Sequence, residues 1–201
     1  MEYFATADPI LHRAILSNNL ESRHIVPLTD TSQFFTKLCD SIVSQQLAVK
    51  AADAIWGRFV ALLPDELVTP EAVLALPEQQ MRDVGLSWAK VRYVRDLAEQ
   101  SMQGKISYEE MVEQSDEEVI LELTKVKGIG RWTAEMFLIF TLGRPDVFSH
   151  GDLGLLRGFQ KLHEIADDSV AKAQLVETAQ KWSPYRSFGA LALWSLYDTT
   201  K

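Results

Sequence analysis

The chain has 201 residues, 47% hydrophobic and 24% charged, with 20 basic and 28 acidic residues for a net charge of −8. This is the make-up of a folded domain or two small lobes, and no stretch approaches the ~18 apolar residues of a membrane span. The single cysteine, Cys39, excludes an internal disulfide, a cysteine zinc site and a four-cysteine iron–sulfur cluster. Glu2 and Asp8 stand where a secretory signal needs a basic start, so an intracellular protein is expected, cytoplasmic in a bacterium and nuclear in a eukaryote. Taken as a sum, the acidity argues against a nucleic-acid partner.

Apolar residues recur at helical spacing and alternating β-branched runs are scarce, so the expected class is all-α. Asp8 and Pro9 make a cap and first-turn pair for a helix to Ile15. Thr31 or Ser32 caps a longer helix carrying Phe34, Phe35, Leu38, Ile42 and Val43. The next runs from about Val49 to Leu62 and stops before Pro64. Pro70 and Pro77 each open a short helix, and Ser87 caps one from Trp88 to about Met102. Ser115 starts a helix through Leu123, with Glu118 completing a capping box. Gly128 and Gly130 break the chain before Trp132–Leu142, and further helices cover Leu153–Ile165, Ser169–Trp182 and Arg186–Tyr197. Trp56, Trp88 and Trp182 are assigned to core packing.

The charge is unevenly placed. Residues 109–122 hold seven acidic residues and no basic one, which reads as a solvated helix face. Residues 123–162 hold six basic residues (Lys125, Lys127, Arg131, Arg144, Arg157, Lys161) against Glu135, Asp146 and Asp152, a local net of +3. A polyanion could therefore meet a positive surface on an acidic protein.

The segment LTKVKGIGRWT, residues 123–133, marks where. One helix ends, two glycines flank Ile129, and another helix starts at once. Glycines at 128 and 130 permit positive φ and close backbone approach, and Ile129 can plug the gap between the helices. The first amides of the following helix form a positive dipole end suited to a phosphate, bracketed by Lys125, Lys127 and Arg131. Read alone, the same segment is an ordinary glycine turn.

With its continuation AEMFLIFTLGRPDVF, this segment resembles the helix-hairpin-helix of the HhH-GPD superfamily of DNA glycosylases, specifically the 3-methyladenine DNA glycosylase II type. SIVSQQLAVKAADAIWGRF, VGLSWAKVRYVRDLA and WSPYRSFGALALW extend the resemblance in the family's order from about Phe34 to Tyr197. Larger members carry an added N-terminal β domain, which is not expected within these 201 residues. The resemblance implies a monofunctional glycosylase of base excision repair. It would hydrolyse the N-glycosidic bond of alkylated purines such as 3-methyladenine in duplex DNA, leaving an abasic site.

The family's catalytic aspartate follows the hairpin helix and a D-V-F turn, which makes it Asp152 here, in a stretch where many relatives have proline at the position of Ser149. Breaking the bond leaves positive charge on the sugar, and a carboxylate stabilises it and orients or deprotonates the attacking water. Read alone, Asp152 N-caps the Leu153 helix, and the two roles are compatible. Asp146 reads as a turn residue and His150 as a loop residue near the DNA backbone. Bifunctional relatives carry a lysine nucleophile where Trp132 stands, and Lys125 and Lys127 lie on the wrong side of the hairpin to replace it. Lyase activity is therefore not expected.

A cationic alkylated purine is well recognised by stacking on electron-rich rings. Trp132 and Met136 share a helix face, and the resemblance adds Trp194 as the pocket tryptophan. Gln45 and Gln46 interrupt an apolar helix stripe, with Gln46 continuing the face of Leu38, Ile42 and Val43. The resemblance makes Gln46 the wedge that fills the gap left by a flipped nucleotide, with Gln45 holding the backbone; an ordinary helix cap is the plain alternative.

The expected architecture is one glycosylase unit over 1–201 in two helical lobes with an active-site cleft between them. The central lobe spans 35–145 and contains the hairpin, about 123–133; residues 1–34 and 146–201 make the second. The resemblance implies no cofactor for the chemistry, and a structural sodium or potassium ion on the carbonyls of Thr124, Val126 and Ile129. A monomer acting on double-stranded DNA, with no membrane partner, is expected. Two rivals remain: a non-catalytic hairpin protein that binds damaged or bent DNA, and a helical protein-interaction module with no salt-dependent DNA binding.

Overall fold

A computed structural model describes residues 2–20 and 25–198, and among these there is no β-strand. Twelve α-helices are described in chain order. No helix among the described residues is long and apolar enough to cross a membrane. The chain divides into a terminal unit, Met1–Pro27 with Gly143–Lys201, and a central unit, Leu28–Leu142. Sequence reading sets these divisions at 34/35 and 145/146. Leu28 belongs with the central unit because its N–H donates to the carbonyl of Thr141 at 2.8 Å.

The central unit contains α3 (Phe34–Ser44), α4 (Val49–Val60), α5 (Pro70–Ala75), α6 (Glu78–Asp83), α7 (Trp88–Met102), α8 (Asp116–Leu123) and α9 (Arg131–Phe140). α3 buries Phe34, Phe35, Leu38, Cys39, Ile42 and Val43, each large apolar side chain contributing about 1.5–3 kcal/mol. Phe34 meets Phe137 of α9 edge to face, centroids 5.4 Å apart. α7 packs against α3 and α5 and buries Val91, Val94, Leu97 and Ala98. Ser87 caps α7 by accepting from Lys90 N, and Ser115 with Glu118 forms the expected capping box on α8.

The start of α3 differs from expectation. Asp30, not Thr31 or Ser32, caps a short 3₁₀ turn over Thr31–Gln33 by accepting from Ser32 N, and α3 follows it. Trp88 is not core: it is 47% exposed, with the guanidinium of Arg82 5.4 Å from its ring centroid. Trp56 is half-buried against Phe59.

The terminal unit contains α1 (Glu2–Ala7), α2 (Pro9–Ser17), α10 (Leu153–His163), α11 (Asp168–Lys181) and α12 (Arg186–Asp198). Its core holds Phe4, Leu11, Ile15, Phe148, Leu155, Phe159, Leu193 and a fully buried Trp182. Asp8 is buried with both oxygens used: Oδ1 accepts from Leu11 N at 3.0 Å, capping α2, and Oδ2 accepts from Trp182 Nε1 at 3.0 Å. α1 carries no cap or periodic signal of its own and is fixed by Phe4 packing on Trp182. α11 starts at Asp168, one residue before the expected Ser169, and is capped by Asp167, which accepts from Ser169 N and Val170 N. α10 and α12 approach closely because Gly158 faces the backbone of Leu193; a β-carbon there would lie 2.3 Å from the Leu193 carbonyl oxygen.

Candidate functional site

The glycine turn between α8 and α9 is a buried plug with an open rim. Val126 and Ile129 are buried, and Ile129 N donates to Val126 O at 3.1 Å. Gly128 has φ +85°, and a β-carbon there would lie 2.2 Å from the Tyr93 ring. Gly130 is different: its φ is −91°, extended backbone open to any residue, and a β-carbon would meet nothing. The expected need for glycine thus holds at one of the two positions.

α7 holds the turn from beneath. Asp96 Oδ2 accepts from Lys127 N at 2.9 Å and from Gln100 Nε2 at 2.8 Å, while Oδ1 pairs with Lys127 Nζ at 2.8 Å. Burial works to raise the Asp96 carboxyl, but these donors outweigh it and hold it below the usual carboxylate range. Arg131 is committed inside the unit, its guanidinium forked onto Glu117 and its Nε donating to Glu135 at 3.0 Å. Lys125 is exposed. The acidic run is more than a solvated face: Glu118 Oε2 accepts from Ser115 N in the capping box, Glu117 binds Arg131, and Glu122 accepts from Ser107 N and Gln114 Nε2.

On α9, Trp132 is 49% exposed, so it is not a core aromatic. It lines a hollow of about 540 Å³ with Ser41, Ser44, Gln45, Gln46 and Gly128. Met136 and Phe140 line a second, of about 220 Å³, that shares Ser41 and Ser44. Phe140, 52% exposed and two turns beyond Trp132, is missed by the motif but lies on the same i, i+4, i+8 stripe.

α3 ends at Ser44, so Gln46 does not continue its apolar face as expected. Gln46 is exposed, at φ +57°. Gln45, the residue after the last helical turn, is half-buried, and its Nε2 donates to Gly128 O at 2.9 Å. Lys90 Nζ donates to the carbonyls of Val43 and Gln45, both at 2.7 Å.

In the terminal unit, Asp152 is the N-cap of α10, its Oδ1 accepting from Leu155 N at 2.8 Å. The same oxygen accepts from Trp194 Nε1 at 2.9 Å. Gly154 makes room for that meeting; a β-carbon there would lie 3.1 Å from both Asp152 Oδ1 and Trp194 Cδ1. Sequence reasoning places Trp194 in the base pocket but misses its bond to the carboxylate, for which Gly154 and Gly158 are the only signal. The competing acid, Asp146, is occupied: Arg186 Nε and Nη2 donate to it at 2.8 and 2.9 Å, and Ser183 Oγ at 2.8 Å. Burial works to raise the Asp146 carboxyl, and these bonds outweigh it and keep it low. His150 is exposed, its ring edge-on to Phe148 with centroids 5.1 Å apart.

No cluster of three His, Cys, Asp or Glu able to hold a metal occurs among the described residues. Of the carbonyls expected to hold a monovalent ion, that of Val126 already accepts from Ile129 N, which leaves it one lone pair.

Residues 39–184 match the model of the HhH-GPD superfamily base excision DNA repair proteins. DNA-3-methyladenine glycosylase 1 of Schizosaccharomyces pombe is 37% identical over 172 residues, covering 83% of this chain and 75% of the relative. A DNA-3-methyladenine glycosidase from Bacillus halodurans superposes with a TM-score of 0.84 at 36% identity, over 98% of this chain and 88% of that one. The Schizosaccharomyces pombe 3-methyladenine DNA glycosylase in complex with abasic DNA gives 0.82 at 31% identity, over 96% and 93%.

Proposed function

The chain belongs to the HhH-GPD superfamily of base excision DNA repair proteins, and we propose that it is a monofunctional DNA glycosylase that hydrolyses alkylated purines such as 3-methyladenine from duplex DNA. The observation that carries this reading is the carboxylate of Asp152, one oxygen of which is fixed by Leu155 N and Trp194 Nε1. Two donors aim a single carboxylate and limit its rotation, as a group acting on a developing charge requires.

As the bond between C1′ and the base nitrogen breaks, its electron pair leaves with the base and positive charge builds on the sugar. Asp152 stabilises that charge, and the oxygen of water bonds to C1′ while its proton passes to the carboxylate or to solvent. The product is a free base and an abasic site. Trp132 offers no amine, so no Schiff base forms and the strand stays intact. The exposed ring of Trp132, with Met136 one turn along the same face of α9, offers a surface on which a flipped cationic base can stack.

The backbone of duplex DNA is held at the hairpin, residues 123–133, by the first amides of α9 with Lys125 and Lys127, and with His150 as a further contact; Arg131, paired with Glu117 and Glu135, braces the start of α9 instead of meeting a phosphate. A monovalent cation on the carbonyls of Thr124, Val126 and Ile129 would add positive charge to this grip; the chemistry needs no cofactor. The protein acts as a monomer. Asp152→Asn tests the reading: base release falls by at least about 100-fold while binding to an abasic-site duplex persists. Activity above about a tenth of wild type would move catalysis to another residue.

A further inference from the structure

The loop that carries Gln46 is tied down on both sides by residues with no part in the chemistry. The last carbonyls of α3 form the negative end of a helix dipole, often closed by a glycine one step on. Here the closing group is an ammonium, with Lys90 Nζ donating at 2.7 Å to both Val43 O and Gln45 O. Gln46 follows at once, exposed and at φ +57°, a left-handed conformation uncommon for a residue other than glycine. The second tie runs to the hairpin: Gln45 Nε2 donates to Gly128 O at 2.9 Å, and Gly128 sits against Tyr93. Lys90 and Tyr93 are three residues apart on α7, on neighbouring positions of one face. One helix therefore holds the hairpin and the Gln46 loop together.

We propose that Lys90 and Gln45 form a latch that fixes the Gln46 loop to the hairpin, so that gripping the phosphate backbone sets the depth at which Gln46 enters the vacated stack. Both are positioning residues, and the inference rests on the glycosylase reading above. Gln45 then serves the wedge through the protein's own backbone, not through a bond to DNA. The competing role for Lys90 is a phosphate contact, since its ammonium has a third N–H.

The test uses a duplex with a tetrahydrofuran abasic analogue and 2-aminopurine opposite the gap, whose fluorescence reports filling of the stack. Lys90→Met and Gln45→Ala in the full chain are to be compared with wild type. Both variants are expected to bind with an unchanged slope of log K against log salt, yet to lose at least half of the fluorescence change at saturation. Release of alkylated purines from methylated duplex DNA slows about tenfold, the loss of one charge-assisted or amide hydrogen bond. Lys90→Arg restores the signal, and the double variant is no worse than the poorer single one. A wild-type fluorescence change in both variants overturns the latch. So does a salt slope lowered by about one in Lys90→Met, which makes Lys90 a phosphate contact. Equal loss of binding and thermal midpoint, with the fluorescence change per bound complex preserved, also overturns it. If wild type fills the stack but releases no alkylated base, the glycosylase reading fails and the latch stands.

Discussion

Oδ1 of Asp152 receives donors of different origin, a backbone N–H from its own helix and an indole N–H from α12. The first comes with any aspartate at an N-cap; the second is particular to Trp194. Trp194→Phe removes the donor and keeps a smaller aromatic face, so an effect on the chemical step with binding unchanged marks carboxylate positioning and not stacking. The expected result is a single-turnover excision rate reduced by about tenfold, with affinity for an abasic duplex unchanged. An unchanged rate would leave Trp194 with stacking alone. The motif singles out Asp152 in the sequence, and the resemblance assigns Trp194 to the pocket. Their bond was not legible, because it depends on how closely α12 approaches α10. That approach is set by Gly158 against the carbonyl of Leu193, a contact 35 residues apart with no local pattern.

At the scale of elements, α7 is the support on which the hairpin is mounted. Tyr93 lies against Gly128, and Asp96 binds the N–H and the ammonium of Lys127. Gly128→Ala forces a β-carbon into the Tyr93 ring at positive φ and is expected to weaken binding to damaged and undamaged duplexes alike. Gly130→Ala meets nothing and is expected to bind as wild type does. Binding titrations of the two variants side by side check this; equal losses would mean that the approach of DNA, not Tyr93, requires both glycines.

The Asp96 clamp also sets an acid limit. Its folded pKa lies below the unfolded one, so its stabilisation is present above the unfolded value near ~3.9 and is lost as pH falls through the folded value. Thermal midpoints measured from pH 6 down to 2.5 should fall less steeply for Asp96→Asn than for wild type, and parallel curves would remove Asp96 from the account. The hairpin was legible because two glycines and an apolar plug interrupt helical spacing. Its support was not: Lys90, Tyr93 and Asp96 read as the polar side of an amphipathic helix, and only the fold shows what they face. That Gln46 leaves the face of Leu38, Ile42 and Val43 was not legible, because nothing in Ser44-Gln45-Gln46 signals a stop and the group that closes the helix end, Lys90, comes from another helix.

For the molecule as a whole, a net charge of −8 and a polyanionic partner coexist through the placement of charge. Several carboxylates of the acidic run are consumed within the central unit, on Arg131, on Gln114, and on the N–H groups of Ser107 and Ser115. Sequence composition records their number and not their pairing, which is why it argues the wrong way about nucleic acid. The helical class, by contrast, was legible throughout, since caps such as Asp8, Ser87 and Ser115 are local signals that the fold obeys. The proposed activity is hydrolytic release of an alkylated purine without strand cleavage. Its most direct test is mass-spectrometric identification of the free bases released from methylated duplex DNA, with the strand examined before and after alkali. The predicted result is free 3-methyladenine from wild type and none from Asp152→Asn, with strands intact until alkali is added. Tight binding to an abasic duplex with no base released, or a protein–DNA adduct trapped by borohydride, would contradict it.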